Sequence, residues 1–121
     1  MIPMVKIHRR SIAPTKGKSG YTATYVADVL LRSEITTAGF IIVNIPAKTK
    51  TIPHAHMELE EIFIVMNPTK LGINGEIHQL EKGDLVVVNP GEAHHFETYN
   101  EPVTVIAIKL PNLKDDKVQA E

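Results

Sequence analysis

The chain has 121 residues, 43% of them hydrophobic, a length and composition that fit one domain around one core. It has no cysteine, which excludes a disulfide scaffold and a thiolate metal site, so any metal must be bound through nitrogen and oxygen. Its 13 basic and 14 acidic residues give a net charge of −1, so neither nucleic acid nor a membrane is expected as a partner.

Short apolar segments alternate with turn residues along most of the chain. Asn74-Gly75 is the strongest hairpin signal, because a type I′ turn needs positive φ at both central residues. Strands this short, with no long segment of 3.6-residue period between them, predict an all-β sandwich or barrel. We predict strands within residues 21–31, 39–45, 61–66, 71–73, 77–80, 85–88 and 103–110.

The remaining segments predict loops and termini. Residues 11–20 are polar and contain two glycines and a proline, which predicts a loop, and the charged residues 114–121 predict a frayed tail or a short helix. We expect a single domain over 1–121, with its core in 21–110, an N-terminal arm or strand in 1–20 and a C-terminal tail in 111–121. No segment reaches the roughly 20 apolar residues of a transmembrane helix, and the first residues do not resemble a signal peptide, so we expect a cytoplasmic protein.

Three histidines and a glutamate have the pattern of a metal site on β-strands. His54 and His56 would lie on one face of a strand about 6.6 Å apart, so that both imidazoles can reach one ion at about 2.1 Å. His56 and Glu61 differ by an odd number of positions and cannot share a face of one straight strand. The chain must therefore turn near residues 57–60, and Glu61 must open the returning strand.

A helix over residues 51–61 is the alternative for this segment. Pro53 suits a first helical position, and residues 57–61 have high helix propensity. A helix would place His54, Glu58 and Glu61 on one face and would move His56 away from them.

The histidine segments resemble the two motifs of the cupin family. His54-Ala55-His56 with Glu61 matches the first motif, and Gly83-Asp84 through to His94 matches the second. The resemblance implies a cupin-type double-stranded β-helix, that is, a jelly-roll barrel. It also implies one divalent metal ion, bound by His54, His56, Glu61 and His94.

The details of the motifs indicate what each part does. Gly83 permits positive φ in a tight turn that Asp84 can cap. Lys48 and Thr98 stand where the family often has glycine and asparagine, but neither departure falls on a ligand. Nitrogen and oxygen ligands suit Fe, Mn, Ni, Co, Cu or Zn, and the sequence does not choose among them.

Four further residues are candidates for the pocket. Phe63 and Phe96 share strand parity with Glu61 and His94, so both should point into the barrel. There we expect them to form part of the core wall more than to stack against a substrate. Tyr25 could reach the pocket mouth, although packing beside Tyr21 explains it better. His95 follows His94 directly and should face the other side of its strand, at the rim or surface.

The resemblance implies a small metal-dependent oxidoreductase of dioxygenase type, acting on a small organic molecule in the barrel. One alternative is a sugar or sugar-phosphate isomerase or epimerase, with Glu58, Glu60 or His95 as the base. In that alternative Lys48 and Lys50 would supply the positive charge that binds the phosphate, although two lysines are a small number for such a site. Another alternative is a metal-dependent small-ligand-binding module without turnover. The family also leads us to expect a homodimer, in which residues 3–12 add a strand to the partner's sheet.

Overall fold

Two five-stranded antiparallel sheets form the body of the computed structural model, which describes residues 6–119. Sheet 1 has the strand order β1-β9-β6-β11-β4 and sheet 2 the order β12-β5-β10-β7-β8, while β2 and β3 form a separate hairpin. The strands are β1 Lys6–His8, β2 Thr15–Lys18, β3 Tyr21–Thr24, β4 Gly39–Ile45, β5 His54–His56, β6 Glu60–Val65, β7 Thr69–Ile73, β8 Glu76–Leu80, β9 Leu85–Val88, β10 His94–Glu97, β11 Val103–Leu110 and β12 Lys117–Gln119.

The core lies between the two sheets and follows the two-residue period of the strands. In β11, Val103, Val105 and Ala107 are buried while the residues between them are more exposed. Sheet 2 meets them with apolar side chains of its own, among them Leu71 and Ile73. Burying such a side chain contributes roughly 1.5–3 kcal/mol, so alternation along short strands is enough to hold two sheets together.

The two predicted turns are present. Asn74 and Gly75 have φ of 50° and 81°, as a type I′ hairpin between β7 and β8 requires. Gly83 has φ of 88°, and the Asp84 carboxylate accepts the backbone N–H of Glu81 at 2.8 Å. That carboxylate also pairs with Arg9 at 2.8 Å, which attaches the N-terminal segment to the barrel.

The N-terminal third differs from the prediction. Residues 10–12 form a short 3₁₀ helix, and the predicted loop contains β2, which pairs with β3 and joins it through Gly20 at φ 85°. This hairpin stands outside both sheets and buries neither face, so it has no apolar alternation to reveal it. The strand predicted over 21–31 ends at Thr24, because Val29 then packs on the outer face of sheet 1 without joining a sheet.

Both ends of the described chain join the main sheets. β1 pairs with β9 of the same chain, with Lys6 opposite Val87. Residues 117–119, predicted to be frayed or helical, form β12 and pair with β5. Long-range hydrogen bonding to β5 stabilises this strand, and local helix propensity does not decide its conformation. The expected dimer remains a prediction.

The helix considered over 51–61 is wrong. β5 and β6 are strands, and the chain turns between them at residues 57–59, as the parity of His56 and Glu61 requires. Within residues 6–119, no helix is long and apolar enough to cross a membrane.

Candidate metal centre

Strands from both sheets bring His54, His56, Glu61 and His94 together. β5 carries His54 and His56, and β10 places His94 directly opposite His54. Glu61 comes from β6 of the other sheet. One ligand atom from each of the four residues lies within 4.8 Å of the others, and three of the four residues are buried. The cluster therefore bridges the two sheets inside the barrel.

Hydrogen bonds orient the rings of this cluster. The Glu61 carboxylate oxygen Oε1 lies 3.0 Å from Nε2 of His56 and 3.4 Å from Nε2 of His94. Nδ1 of His94 lies 2.9 Å from the backbone oxygen of Glu92, and because a carbonyl oxygen only accepts, Nδ1 carries the proton. This leaves the lone pair of His94 on Nε2, toward the cluster.

The donor set fits a divalent metal. Nε2 of His94 and Nδ1 of His56 are buried, and neither has a hydrogen-bond partner in the described part of the chain. Buried polar atoms without a partner are uncommon, and here two of them belong to histidines of the cluster. Three neutral imidazoles and one carboxylate would bind a divalent ion through nitrogen and oxygen alone.

Two ligands are held in the form that binds metal. Burial lowers the pKa of His54 to about 4, and the neighbouring His94 and Lys117 add to the effect. Burial alone would raise the pKa of Glu61, but the neighbouring imidazoles of His56 and His94 outweigh it and lower the pKa to about 2. At neutral pH, Glu61 is therefore a carboxylate and His54 a neutral imidazole, which are the states that ligate.

A cavity of about 220 Å³, here called the inner cavity, opens beside the cluster. Phe63 and Phe96 lie on its wall edge to face, with ring centroids 5.0 Å apart. The polar residues on its surface are Thr51, Lys109, Lys117 and the ligands His54, His56 and Glu61. Its apolar walls are Ile41, Val43, Ile45, Phe63, Phe96 and Ala107. The four candidate metal ligands therefore lie beside a mainly apolar space.

His95 does not reach the inner cavity. It lies on the outer face of sheet 2, where its Nε2 is 2.7 Å from the Glu97 carboxylate. Its ring covers Gly72 on the neighbouring strand, because glycine has no side chain to occupy that position. His95 and Lys50 line a different cavity of about 280 Å³ outside the barrel.

Tyr25 also lies away from the cluster. The strand that was expected to carry it ends at Thr24, and Tyr25 is 51% exposed beside His8. The alternative carboxylates are outside too. Glu60 pairs with Arg32 at 3.2 Å, and Glu58 is exposed in the turn after β5.

Sequence reasoning missed two acidic residues that support the site. Glu92 is buried, and its carboxylate accepts the Asn89 backbone N–H at 2.7 Å and the Asn74 amide at 2.8 Å. The spacing Asn89-x-x-Glu92 resembles a capping box and would have pointed to the first of these bonds. Asp116 accepts the backbone N–H groups of Glu58 and Leu59, both at 3.0 Å, and no local pattern indicates this contact.

The comparisons with known proteins identify the fold. No family model matches the chain, and no curated protein matches it significantly. Among solved structures, a cupin protein from Bacteroides fragilis is 24% identical with a TM-score of 0.59, and the match covers 66% of this chain and 72% of that one. The cupin fold predicted from the two motifs, a double-stranded β-helix, is thus confirmed.

Two larger enzymes share this fold. A salicylate 1,2-dioxygenase from Pseudaminobacter salicylatoxidans is 22% identical with a TM-score of 0.56, and the match covers 60% of this chain and 21% of the enzyme. The DMSP lyase DddQ from Ruegeria pomeroyi is 23% identical with a TM-score of 0.63, covering 69% of this chain and 43% of the enzyme. The chain therefore corresponds to less than half of either enzyme.

Proposed function

We propose that the protein is a metal-dependent oxidoreductase of dioxygenase type that acts on a small organic molecule in the inner cavity. One observation carries the proposal: three imidazoles and a carboxylate adjoin a cavity whose walls are otherwise mainly apolar. When bound, a redox-active divalent metal supplies Lewis acidity and electron transfer.

The chain's own residues would bind and orient the substrate. Phe63 and Phe96 offer two rings at right angles, which present both a face and an edge to a planar or aliphatic group. The Glu92 carbonyl holds the His94 ring in one tautomer, so the ligand set is formed before substrate enters. The apolar walls exclude water and strengthen every polar contact made inside.

The solved structures support an enzyme but do not select the reaction. A dioxygenase and a lyase share this fold, and a fold supports many chemistries. The dioxygenase reading is favoured here by the apolar character of the walls, which suits substrate oxidation away from bulk water.

The isomerase reading receives less support from the geometry. It requires a base within reach of a metal-bound sugar, and the bases considered for it were Glu58, Glu60 and His95. All three lie outside the inner cavity. Lys48 and Lys50, the expected phosphate clamp, are also absent from its lining.

The first test is elemental mass spectrometry on untagged protein and three variants. We expect about one equivalent of iron or another redox-active metal in the wild type, with loss in His56→Ala and in Glu61→Ala. His95→Ala is the matched control, because it removes a histidine outside the cluster and should keep the metal. A wild type without metal, even after reconstitution, would overturn the proposal.

The second test separates turnover from binding. Oxygen uptake is followed on iron-loaded protein with a panel of small aromatic and aliphatic compounds, and the His56→Ala variant provides the background. Consumption that depends on His56 supports an oxidoreductase. Stoichiometric zinc with no consumption of any compound would instead indicate a binding module.

A further inference from the structure

Two lysines on the inner cavity stand directly opposite metal-site residues. Lys109 on β11 is the register partner of Glu61, and Lys117 on β12 is the register partner of His56. Directly opposed residues of antiparallel strands point to the same face, so both lysines point to the face that carries the cluster. Both line the inner cavity.

The lysines approach the cavity from opposite sides. β11 belongs to sheet 1, and β12 is the edge strand of sheet 2. Within residues 6–119, neither ammonium group forms an ion pair with a carboxylate, although ion pairs occur elsewhere on the protein. Lys117 is close enough to His54 to contribute to the lowered pKa of that ring. Two positive groups without an acidic partner therefore flank one small space.

The charge balance of the inner cavity is positive. Glu61 is the one carboxylate on its described lining, which also includes the two lysines. With neutral imidazoles, the lining has a net charge of +1, and a divalent metal would raise it further. The walls have a low dielectric constant, which strengthens this positive field. A cationic ligand is therefore repelled more strongly in the cavity than it would be in water.

We propose that the substrate is a small organic acid, whose carboxylate pairs with Lys109 and Lys117 while its apolar body packs against Phe63 and Phe96. This inference rests on the proposed function, since it names the substrate class of the same site. The cavity of about 220 Å³ is below the roughly 300–1,000 Å³ of sites for drug-sized ligands, so the acid is small.

Isothermal titration calorimetry with benzoate and its neutral isostere benzamide tests the pairing. The zinc-loaded and the metal-free protein are both titrated, so the readout does not depend on activity. We expect benzoate to bind at least about tenfold more tightly than benzamide to the zinc-loaded protein, and less tightly as ionic strength rises.

The variants assign the preference to the two lysines. Lys109→Met and Lys117→Met should each weaken benzoate binding about fivefold and leave benzamide binding unchanged. The double variant should bind the two compounds equally. Lys16→Met, on the separate β2–β3 hairpin, is the matched control and should bind like the wild type. Thermal unfolding of every variant shows whether the fold is retained.

Metal content measured on the same samples separates the two proposals. Lysine variants that keep their metal and their preference for benzoate would overturn the organic-acid inference and leave the metal site standing. Equal binding of the two compounds by the wild type, or no benzoate binding in the millimolar range, would overturn it as well. A lysine-dependent preference in a protein that never holds metal would support the anion site and contradict the oxidoreductase.

Discussion

The orientation of the His94 ring depends on Glu92, which does not line the inner cavity. The Glu92 backbone oxygen accepts from Nδ1 of His94, and the Glu92 side chain is fixed in turn by Asn89 and Asn74. A buried carboxylate that accepts two hydrogen bonds is stable only while both donors stay in place. The hairpin turn at Asn74 is thus coupled to the orientation of a metal-site imidazole.

The lowered pKa of His54 predicts how the metal-free protein responds to acid. The unfolded chain binds a proton at the usual histidine pKa of 6.5, whereas folded His54 stays neutral down to about pH 4. The unfolded state therefore binds more protons in this window, and stability falls as the pH falls from about 6.5 to 4, with no further loss from this group below pH 4. Because the ring is partly solvated, we expect a loss of about 1–2 kcal/mol.

Urea unfolding at pH 7 and pH 4.5, with a chelator present, measures this loss. His54→Asn removes the titrating group and should lose less stability between the two pH values than the wild type does. Equal losses in both proteins would show that another group is responsible.

At the scale of elements, Asp116 fastens the turn between β5 and β6. Its carboxylate accepts N–H groups of that turn, and its backbone oxygen accepts the N–H of Met57 at 3.1 Å. The turn separates His56 from Glu61, so Asp116 sets how these two ligands face each other. Burial raises the pKa of Asp116, but the N–H donors outweigh it and lower the pKa.

Asp116→Asn should therefore weaken both the fold and the metal site. The amide offers one acceptor oxygen and turns an N–H group toward the donors, so we expect a cost of about 1–2 kcal/mol and roughly tenfold weaker metal binding. Asp115→Asn is the matched control, because Asp115 has φ of 43°, which asparagine tolerates. Urea unfolding and competition with a chromophoric zinc chelator measure the two effects. Equal behaviour of the two variants would exclude a role for the Asp116 clamp.

Gly72 and His95 are in contact on the outer face of sheet 2. We predict that the stability effects of substitutions at these two positions are coupled. A Cβ on Gly72 would lie 2.6 Å from Nδ1 of His95, which is closer than atoms can approach. We expect Gly72→Ala to cost about 1–3 kcal/mol by displacing the ring from Glu97. In the double variant with His95→Ala this contact is gone, so the costs should fall short of additivity by about 1 kcal/mol.

Chemical unfolding of the wild type, the two single variants and the double variant gives the coupling directly. Metal content should stay unchanged throughout, since neither residue lines the inner cavity. Additive costs would mean that the ring moves aside freely.

The elements that could be predicted are those with a local signal. Asn74-Gly75 encodes its own turn, and Val103 to Leu110 alternates between buried and more exposed positions. The spacing of His54 and His56 alone places both on one face. By contrast, β12 exists because it pairs with β5, and Lys117 approaches the site only through that register. No local pattern encodes a partner so distant along the chain, and strand propensity depends on such context.

At the scale of the whole molecule, β4 is the exposed edge of sheet 1. Its outward residues Phe40 and Ile42 are 74% and 71% exposed, and no charged side chain lies within the strand. An open apolar edge without charges favours association with another chain. If the chain forms the homodimer expected from the family, this surface predicts a contact at β4 and not at β1.

We therefore predict a dimer at micromolar concentration that Phe40→Ser converts to a monomer. Sedimentation velocity measures the change. Ile77→Ser is the matched control, because it removes an exposed apolar residue from β8, the edge of the other sheet. A monomeric wild type would contradict the prediction, and loss of the dimer only in Ile77→Ser would place the interface on sheet 2.

The clamp at Asp116 has a consequence for how the protein is made. The backbone groups that it binds, at Glu58, are translated 58 positions before it. While the nascent chain leaves the ribosome, β5 therefore has no pairing partner until β10 and then β12, its neighbours in sheet 2, have been translated. His54 and His56 emerge unpaired, and full metal affinity must come late in synthesis, after the strands on both sides have emerged.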